Sequence, residues 1–126
     1  MSDIDALQVH ASVERIRGQM NEFSRSFFNQ LFSLRPGLRQ LLSTEEGRRS
    51  KLRSMISVLA NSRDFDKLGP AICRLGDRHR DYGVSAQDYE PLHQALLHAV
   101  AEIDSQGESS TVQQAWAAQL KRISAL

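Results

Sequence analysis

The sequence predicts an all-α protein of six or seven helices, and three observations lead to this prediction. Apolar residues recur at spacings of three and four along almost the whole chain, which is the helical period. No segment shows the alternation of apolar and polar residues that is typical of a half-buried strand, and no Asn-Gly hairpin signal occurs. No linker, internal repeat or composition shift divides the chain, so residues 1–126 are expected to form a single domain.

The first half of the chain predicts a long, interrupted helical stretch. An amphipathic segment begins after an N-cap at Ser2 or Asp3 and runs through residues 4–23, with a bend near Gly18. It continues into a segment that contains four of the five phenylalanines, at positions 23, 27, 28 and 32. Pro36 and Gly37 interrupt the helix, and a short helical turn is expected over residues 38–42.

The second half repeats the helical pattern. Apolar spacing of three and four returns in residues 52–59, loosens at 61–64 and returns in residues 68–79. Ser85 and Asp88 resemble a capping box, which places Pro91 in the first turn of a helix that extends to about Ile103. A turn over residues 107–111 then precedes a final helix that carries Trp116, expected to be a packing residue.

The composition is that of an ordinary globular domain. Hydrophobic residues make up 40% and charged residues 25%, and the formal net charge is +1 at pH 7. This balance gives no reason to expect nucleic acid or a membrane as a partner. The single cysteine, Cys73, excludes an internal disulfide, and the N-terminus lacks the pattern of a secretion leader, so we expect a cytoplasmic protein.

His79 is the residue that carries most information about function. Leu68, Ile72, Leu75 and His79 lie on one stripe of a predicted helix, and Gly83 marks the end of that helix. A histidine on an otherwise aliphatic stripe needs a partner, because burying an unpaired imidazole costs free energy. That partner is either a hydrogen-bond acceptor or a metal ion.

Several segments together resemble a known family. They are FFNQLF at residues 27–32 with Pro36 after it, LGDRHRDYGVSAQDYEPLHQALL at residues 75–97, and Trp116 in the last helix. With Tyr89 ten residues after His79, these segments resemble the globin fold, most closely the bacterial single-domain haemoglobins related to the globin module of flavohaemoglobins. The resemblance extends from about residue 4 to residue 123, and it is weakest over residues 42–53.

The resemblance implies a haem b cofactor in a pocket between the helices. The Nε2 atom of His79 would ligate the iron, with Leu75 packed on the same side of the ring. The remainder of that side of the pocket would be lined by Val84, Tyr89, Leu92 and Leu96. Ferrous iron held in this way would reversibly bind a diatomic gas, namely oxygen, nitric oxide or carbon monoxide.

On the gas-binding side, the sequence departs from the family pattern. Phe28 stands where the family usually has a tyrosine that hydrogen-bonds to oxygen, and Leu42 stands where a phenylalanine usually stacks on the haem. Leu52 would lie over the gas-binding position of the iron, and the usual glutamine or histidine is replaced by either Arg48 or Arg49. We expect Arg48 to extend outward to a haem propionate, because burying an unpaired guanidinium costs several kcal/mol. The resulting apolar cavity predicts weaker retention of oxygen.

These features favour reversible gas binding over catalysis. In the flavohaemoglobin lineage, the tyrosine at the position of Tyr89 acts together with a glutamate of the last helix, and the sequence has no counterpart for that glutamate. We therefore assign no catalytic residue, and any nitric oxide dioxygenase or peroxidase-like activity would need an external reductase as partner. A monomer or weak homodimer is expected. An alternative is a haem-free, globin-like interaction or sensor module of a signalling complex, which Phe28 and Leu42 favour because each removes a usual haem contact.

The remaining polar residues have simpler interpretations. The basic run in residues 48–53 is expected to be a solvated helix start, because no aromatic residues or glycine-rich loop accompany it as in nucleic-acid sites. His10, His93 and His98 are expected at the surface or half-buried, since none lies on the helix of Leu52.

Overall fold

The computed structural model describes residues 3–40, 44–60 and 89–124 of the chain, and these residues are arranged in helices. The α-helices are α1 (Asp3–Ile16), α2 (Met20–Leu34), α3 (Glu45–Ala60), α4 (Tyr89–Ile103) and α5 (Ser110–Ser124). No strand occurs in the described ranges, which confirms the predicted all-α, globin-like fold class. Within these ranges, no helix combines the length and the apolar character needed to cross a bilayer. The helix predicted over residues 68–79 and the predicted capping box lie outside them.

The two predicted interruptions of the first half are confirmed. A 3-10 helix, Arg17–Gln19, separates α1 from α2 at the predicted bend, and Gln19 leaves the helical backbone region with φ −126° and ψ 34°. After α2, Arg35 is extended, with φ −139° and ψ 80°. The ring of Pro36 disfavours a helical conformation at the residue before it, which explains why α2 stops here. A second 3-10 helix, Pro36–Gln40, follows.

The helices pack in pairs around one hydrophobic core. α2 packs against α4 and α1 packs against α5, while α3 contacts both α1 and α2. The spacing of apolar residues on α2 places five of them on the inward face: Phe23, Phe27, Phe28, Leu31 and Phe32, all buried. These aromatic side chains bring most of the bulk to the centre of the core. The fold thus places α2 between α3 and α4, the helices that carry the other described candidate residues.

The turn between α4 and α5 is held close to the end of α4. The backbone N–H of Gly107 donates to the carbonyl of Asp104 at 2.8 Å, and the N–H of Asp104 donates to the carbonyl of Val100 at 3.0 Å. A Cβ atom at position 107 would come within 1.9 Å of the Val100 carbonyl oxygen. Only glycine permits this approach of the turn to α4.

Candidate functional site

The predicted haem contacts fall into two groups. The proposed iron ligand His79 lies outside the described residues, as do Leu42, Leu75 and Val84. The other predicted contacts lie on three described helices: Phe28 on α2; Arg48, Arg49 and Leu52 on α3; Tyr89, Leu92 and Leu96 on α4. The structure therefore describes the walls contributed by α2, α3 and α4.

An apolar wall is formed where these three helices meet. Phe28 is 6% exposed, Leu52 is 1% exposed and Leu96 is fully buried. All three belong to the same hydrophobic core, and Leu92, half-buried, packs against it. The ring of Phe28 lies edge-on to Phe27, with 4.8 Å between the ring centroids. Residues separated by up to 68 positions in the sequence thus contribute to one apolar surface, as expected for the predicted gas-binding side.

Tyr89 is the first residue of α4 and is half-buried. Leu92 follows it by three residues and Leu96 by seven, so the three side chains lie on one face of the helix. This is the face predicted to border the haem. The predicted pairing of Tyr89 with His79 involves a residue outside the described ranges.

The two arginines considered for the gas-binding side differ in their contacts. Arg49 forms an ion pair with Glu45, one turn earlier on α3, with 3.3 Å between Nη1 and Oε1. The guanidinium carbon of Arg48 lies 5.8 Å from the centroid of the Phe32 ring on α2. Both side chains are half-buried. Arg48 thus leans toward α2, whereas Arg49 is engaged with its own helix.

Two of the described histidines are held by groups away from this wall. Nδ1 of His10 lies 3.3 Å from the carbonyl oxygen of Ala60, which makes the ring nitrogen the donor. Nε2 of His98 lies 3.2 Å from a carboxylate oxygen of Glu102 on the exposed face of α4. In the described part of the chain, no group of three or more His, Cys, Asp or Glu side chains is arranged to hold a metal ion.

His93 is half-buried on α4, as predicted for a histidine of this helix. Burial lowers the pKa of its imidazole below the ordinary value, since the charged form is poorly solvated there. The carboxylate of Glu90 raises this pKa and the ammonium of Lys121 lowers it, and the net shift is downward. The neutral ring is therefore favoured at position 93.

A buried polar network was not predicted from the sequence. The side chain of Asp104, in the turn after α4, accepts hydrogen bonds from Ser12 and Arg15 on α1. A second contact, from Arg15 Nη2, is 3.0 Å long, and the backbone N–H of Gln106 donates to the same carboxylate at 3.0 Å. Trp116 on α5 donates its indole N–H to Ser12. The network joins α1, α5 and the turn between α4 and α5.

Burial alone raises the pKa of Asp104, but the donors around it outweigh this effect. The hydrogen bonds from Arg15, Ser12 and Gln106, together with the charge of Arg15, hold the pKa of the carboxyl below its ordinary value. Asp104 is thus charged in the folded protein at neutral pH. A sequence signal for this network exists, because Ser12 lies on the apolar stripe of α1 and a buried indole N–H needs an acceptor.

The described part of the predicted haem site fits the chemical character of that group. A porphyrin has extended apolar faces and carries two carboxylate side chains. The wall of Phe28, Leu52 and Leu96 offers apolar contact. Arg48 and Arg49, on the same helix as Leu52, offer guanidinium groups that suit carboxylates. The side chains from α2, α3 and α4 are therefore compatible with haem.

Comparison with known proteins identifies a distant relative. Over 120 residues, which is 91% of this chain, the sequence is 24% identical to a flavohemoprotein of Bacillus subtilis (strain 168). The chain spans 28% of the length of that relative. No protein-family profile matches the chain. The similarity supports a distant, globin-like relationship that extends over nearly all of the sequence.

Proposed function

We propose that this chain is a globin-type protein that binds haem b through His79 and reversibly binds a diatomic gas at the ferrous iron. The observation that carries this proposal is the similarity to a flavohemoprotein over 91% of the chain. The name of that relative includes both a haem and a flavin, and we transfer only the haem to this chain. The apolar wall on α2, α3 and α4 supports the proposal independently, because a porphyrin needs apolar surroundings.

Each side of the cofactor is assigned to its own residues. His79 would ligate the iron, with Leu75, Val84, Tyr89, Leu92 and Leu96 around it on the same side. Phe28, Leu42 and Leu52 would face the gas and exclude water from it. Arg48 or Arg49 would pair with a propionate, because a guanidinium and a carboxylate form strong charge-assisted hydrogen bonds. When bound, haem supplies a ferrous iron with an open position for a gas ligand.

The proposed ligands are oxygen, nitric oxide and carbon monoxide. Phe28 and Leu52 have no hydrogen-bond donor in their side chains, and Phe28 is 6% exposed, so we expect little stabilisation of bound oxygen. Nitric oxide and carbon monoxide depend less on such a donor. Turnover of nitric oxide or peroxide is proposed only with an external reductase as electron source.

Titration with haemin tests the proposal. The purified chain is titrated with haemin, and absorption spectra are recorded for the ferric, ferrous and carbon monoxide forms. We expect a saturable Soret band that shifts when carbon monoxide is added to the ferrous protein. Failure to develop a Soret band would reject haem binding and favour the alternative, a haem-free interaction module.

A pair of histidine variants tests the iron ligand. His79→Ala is expected to lose stable ferrous haem or to hold it loosely, because the nitrogen ligand is missing. His98→Ala is the matched control, since His98 is exposed and contacts Glu102. The control should keep the spectra of the unmodified protein. Unchanged spectra in His79→Ala would show that another residue ligates the iron.

A further inference from the structure

A cleft with a polar lining lies along one face of α2. Asn21, Arg25 and Asn29 follow one another at a spacing of four, which places their side chains on the same face of the helix. The cleft has a volume of about 150 Å³, enough for several water molecules or one small ion. The buried rings of Phe28 and Phe32 also line it. The cleft therefore combines amide and guanidinium donors with an aromatic surface.

Positive charge dominates the lining that the structure describes. Besides Arg25, the lining includes Arg39 from the 3-10 helix after α2, and Arg48 and Arg49 from α3. Among the described lining residues the one carboxylate is that of Glu45, which pairs with Arg49. Three separate elements thus direct guanidinium groups to one small volume. Like charges gathered in this way repel one another, and an anion between them relieves that repulsion.

An aromatic ring holds two of these arginines in place. The guanidinium carbon of Arg39 lies 4.7 Å from the centroid of the Phe32 ring, and that of Arg48 lies 5.8 Å from it. Stacking on an aromatic face restricts the long side chains before any ligand arrives. Binding then loses less conformational entropy than it would with freely moving arginines.

We propose that this cleft binds a phosphate-type dianion, either inorganic phosphate or the terminal phosphate of a small phosphate monoester. Planar guanidinium groups match pairs of phosphate oxygens, and the asparagine amides add neutral donors. The small volume suits one phosphate group better than a larger polyanion. The proposal concerns Arg25 and Arg39 above all and does not depend on haem binding.

Isothermal titration calorimetry with inorganic phosphate tests the proposal on the full chain. Sodium chloride at matched ionic strength provides the background. We expect saturable binding that weakens about fivefold or more in each of Arg25→Gln and Arg39→Gln, because each variant removes a charged donor from the cleft. Arg53→Gln is the matched control, since Arg53 is exposed on α3 and does not line the cleft. Circular dichroism confirms that each variant remains folded.

Two results would overturn the proposal. One is the absence of saturable phosphate binding by the unmodified protein, and the other is equal weakening by Arg53→Gln, which would indicate a general charge effect. A parallel titration with adenosine monophosphate distinguishes the two sources of the ligand. Equal affinity for both compounds supports free phosphate, and tighter binding of the monophosphate supports an ester as the ligand.

Discussion

Trp116 donates its indole N–H to the hydroxyl of Ser12 at 2.9 Å, although the two residues are 104 positions apart. The same hydroxyl donates to Asp104, so its proton and its lone pair are both used. Arg15 completes the arrangement by donating to Asp104 from the side nearer the solvent. The first and last described helices and the turn before the last helix are therefore connected through one serine.

Replacing Ser12 with alanine is expected to destabilise the fold. The variant leaves the buried indole N–H without an acceptor and removes one donor to Asp104, which should lower the free energy of unfolding by about 1–3 kcal/mol. Urea denaturation followed by circular dichroism measures this change. Ser26→Ala on α2 is the control, because the Ser26 hydroxyl contacts Glu102 at the exposed surface. Its effect should stay below about 0.5 kcal/mol, and an equal loss in both variants would contradict our account of the network.

The depressed pKa of Asp104 predicts a loss of stability in acid. In the unfolded chain an aspartate has a pKa of about 3.9, so the contribution of the folded carboxylate is fully present above that pH. It disappears as the pH falls through the lower pKa of the folded state, because the folded protein must then take up a proton. Asp104→Asn should be less stable than the unmodified protein at neutral pH, and the difference should shrink in acid.

Urea denaturation at several pH values measures this difference. Glu108→Gln provides the control, since Glu108 is exposed in the same turn. It should change the free energy of unfolding by less than about 0.5 kcal/mol at neutral pH. A difference between Asp104→Asn and the unmodified protein that is constant over the whole pH range would show that the charge of Asp104 is not involved.

Gly107→Ala is expected to disturb the turn between α4 and α5. The added methyl group would overlap the backbone carbonyl of Val100, so the turn must move away from α4. We expect a loss of about 1–3 kcal/mol, as for other overpacked sites. Gly18→Ala is the control, since a Cβ at Gly18 meets no atom within 4 Å. Thermal unfolding of both variants gives the comparison, and equal melting temperatures would be evidence against the close approach.

Phe28→Tyr tests the predicted gas-binding side. If Phe28 faces the gas, the new hydroxyl adds a donor and should slow oxygen dissociation by about tenfold to a hundredfold, equivalent to one hydrogen bond to a charged group. Phe32→Tyr is the control, because Phe32 lies one turn further along α2, beside Arg39 and Arg48. Stopped-flow mixing measures both rates. An unaltered rate in Phe28→Tyr would place this residue away from the gas.

Much of the fold was predictable because helical periodicity is a local property. The spacing of the phenylalanines predicted the buried face of α2, and the structure confirms it with Phe23 fully buried. Gly18 and Pro36 predicted the two interruptions for the same reason, since glycine and proline act on the backbone at or next to their own positions. The single-domain organisation, the cytoplasmic location and the gas ligands stay predictions.

The contacts between distant segments were not predictable in this way. Trp116 was expected to be a packing residue, and it is fully buried, but its hydrogen bond to Ser12 depends on how α1 and α5 are docked. The arginine cleft has the same origin, because Arg25 and Arg39 lie on different elements that meet only in the folded chain. Periodicity identifies the buried face of a helix and leaves its partner undetermined.

The position of Trp116 also provides a built-in optical probe. It is the single tryptophan of the chain, and its ring is 0% exposed. Its fluorescence should therefore be shifted to shorter wavelength while α1 remains docked on α5, and should move to longer wavelength as soon as the first helix detaches. An unlabelled sample thus reports in real time on the closure of its two terminal helices.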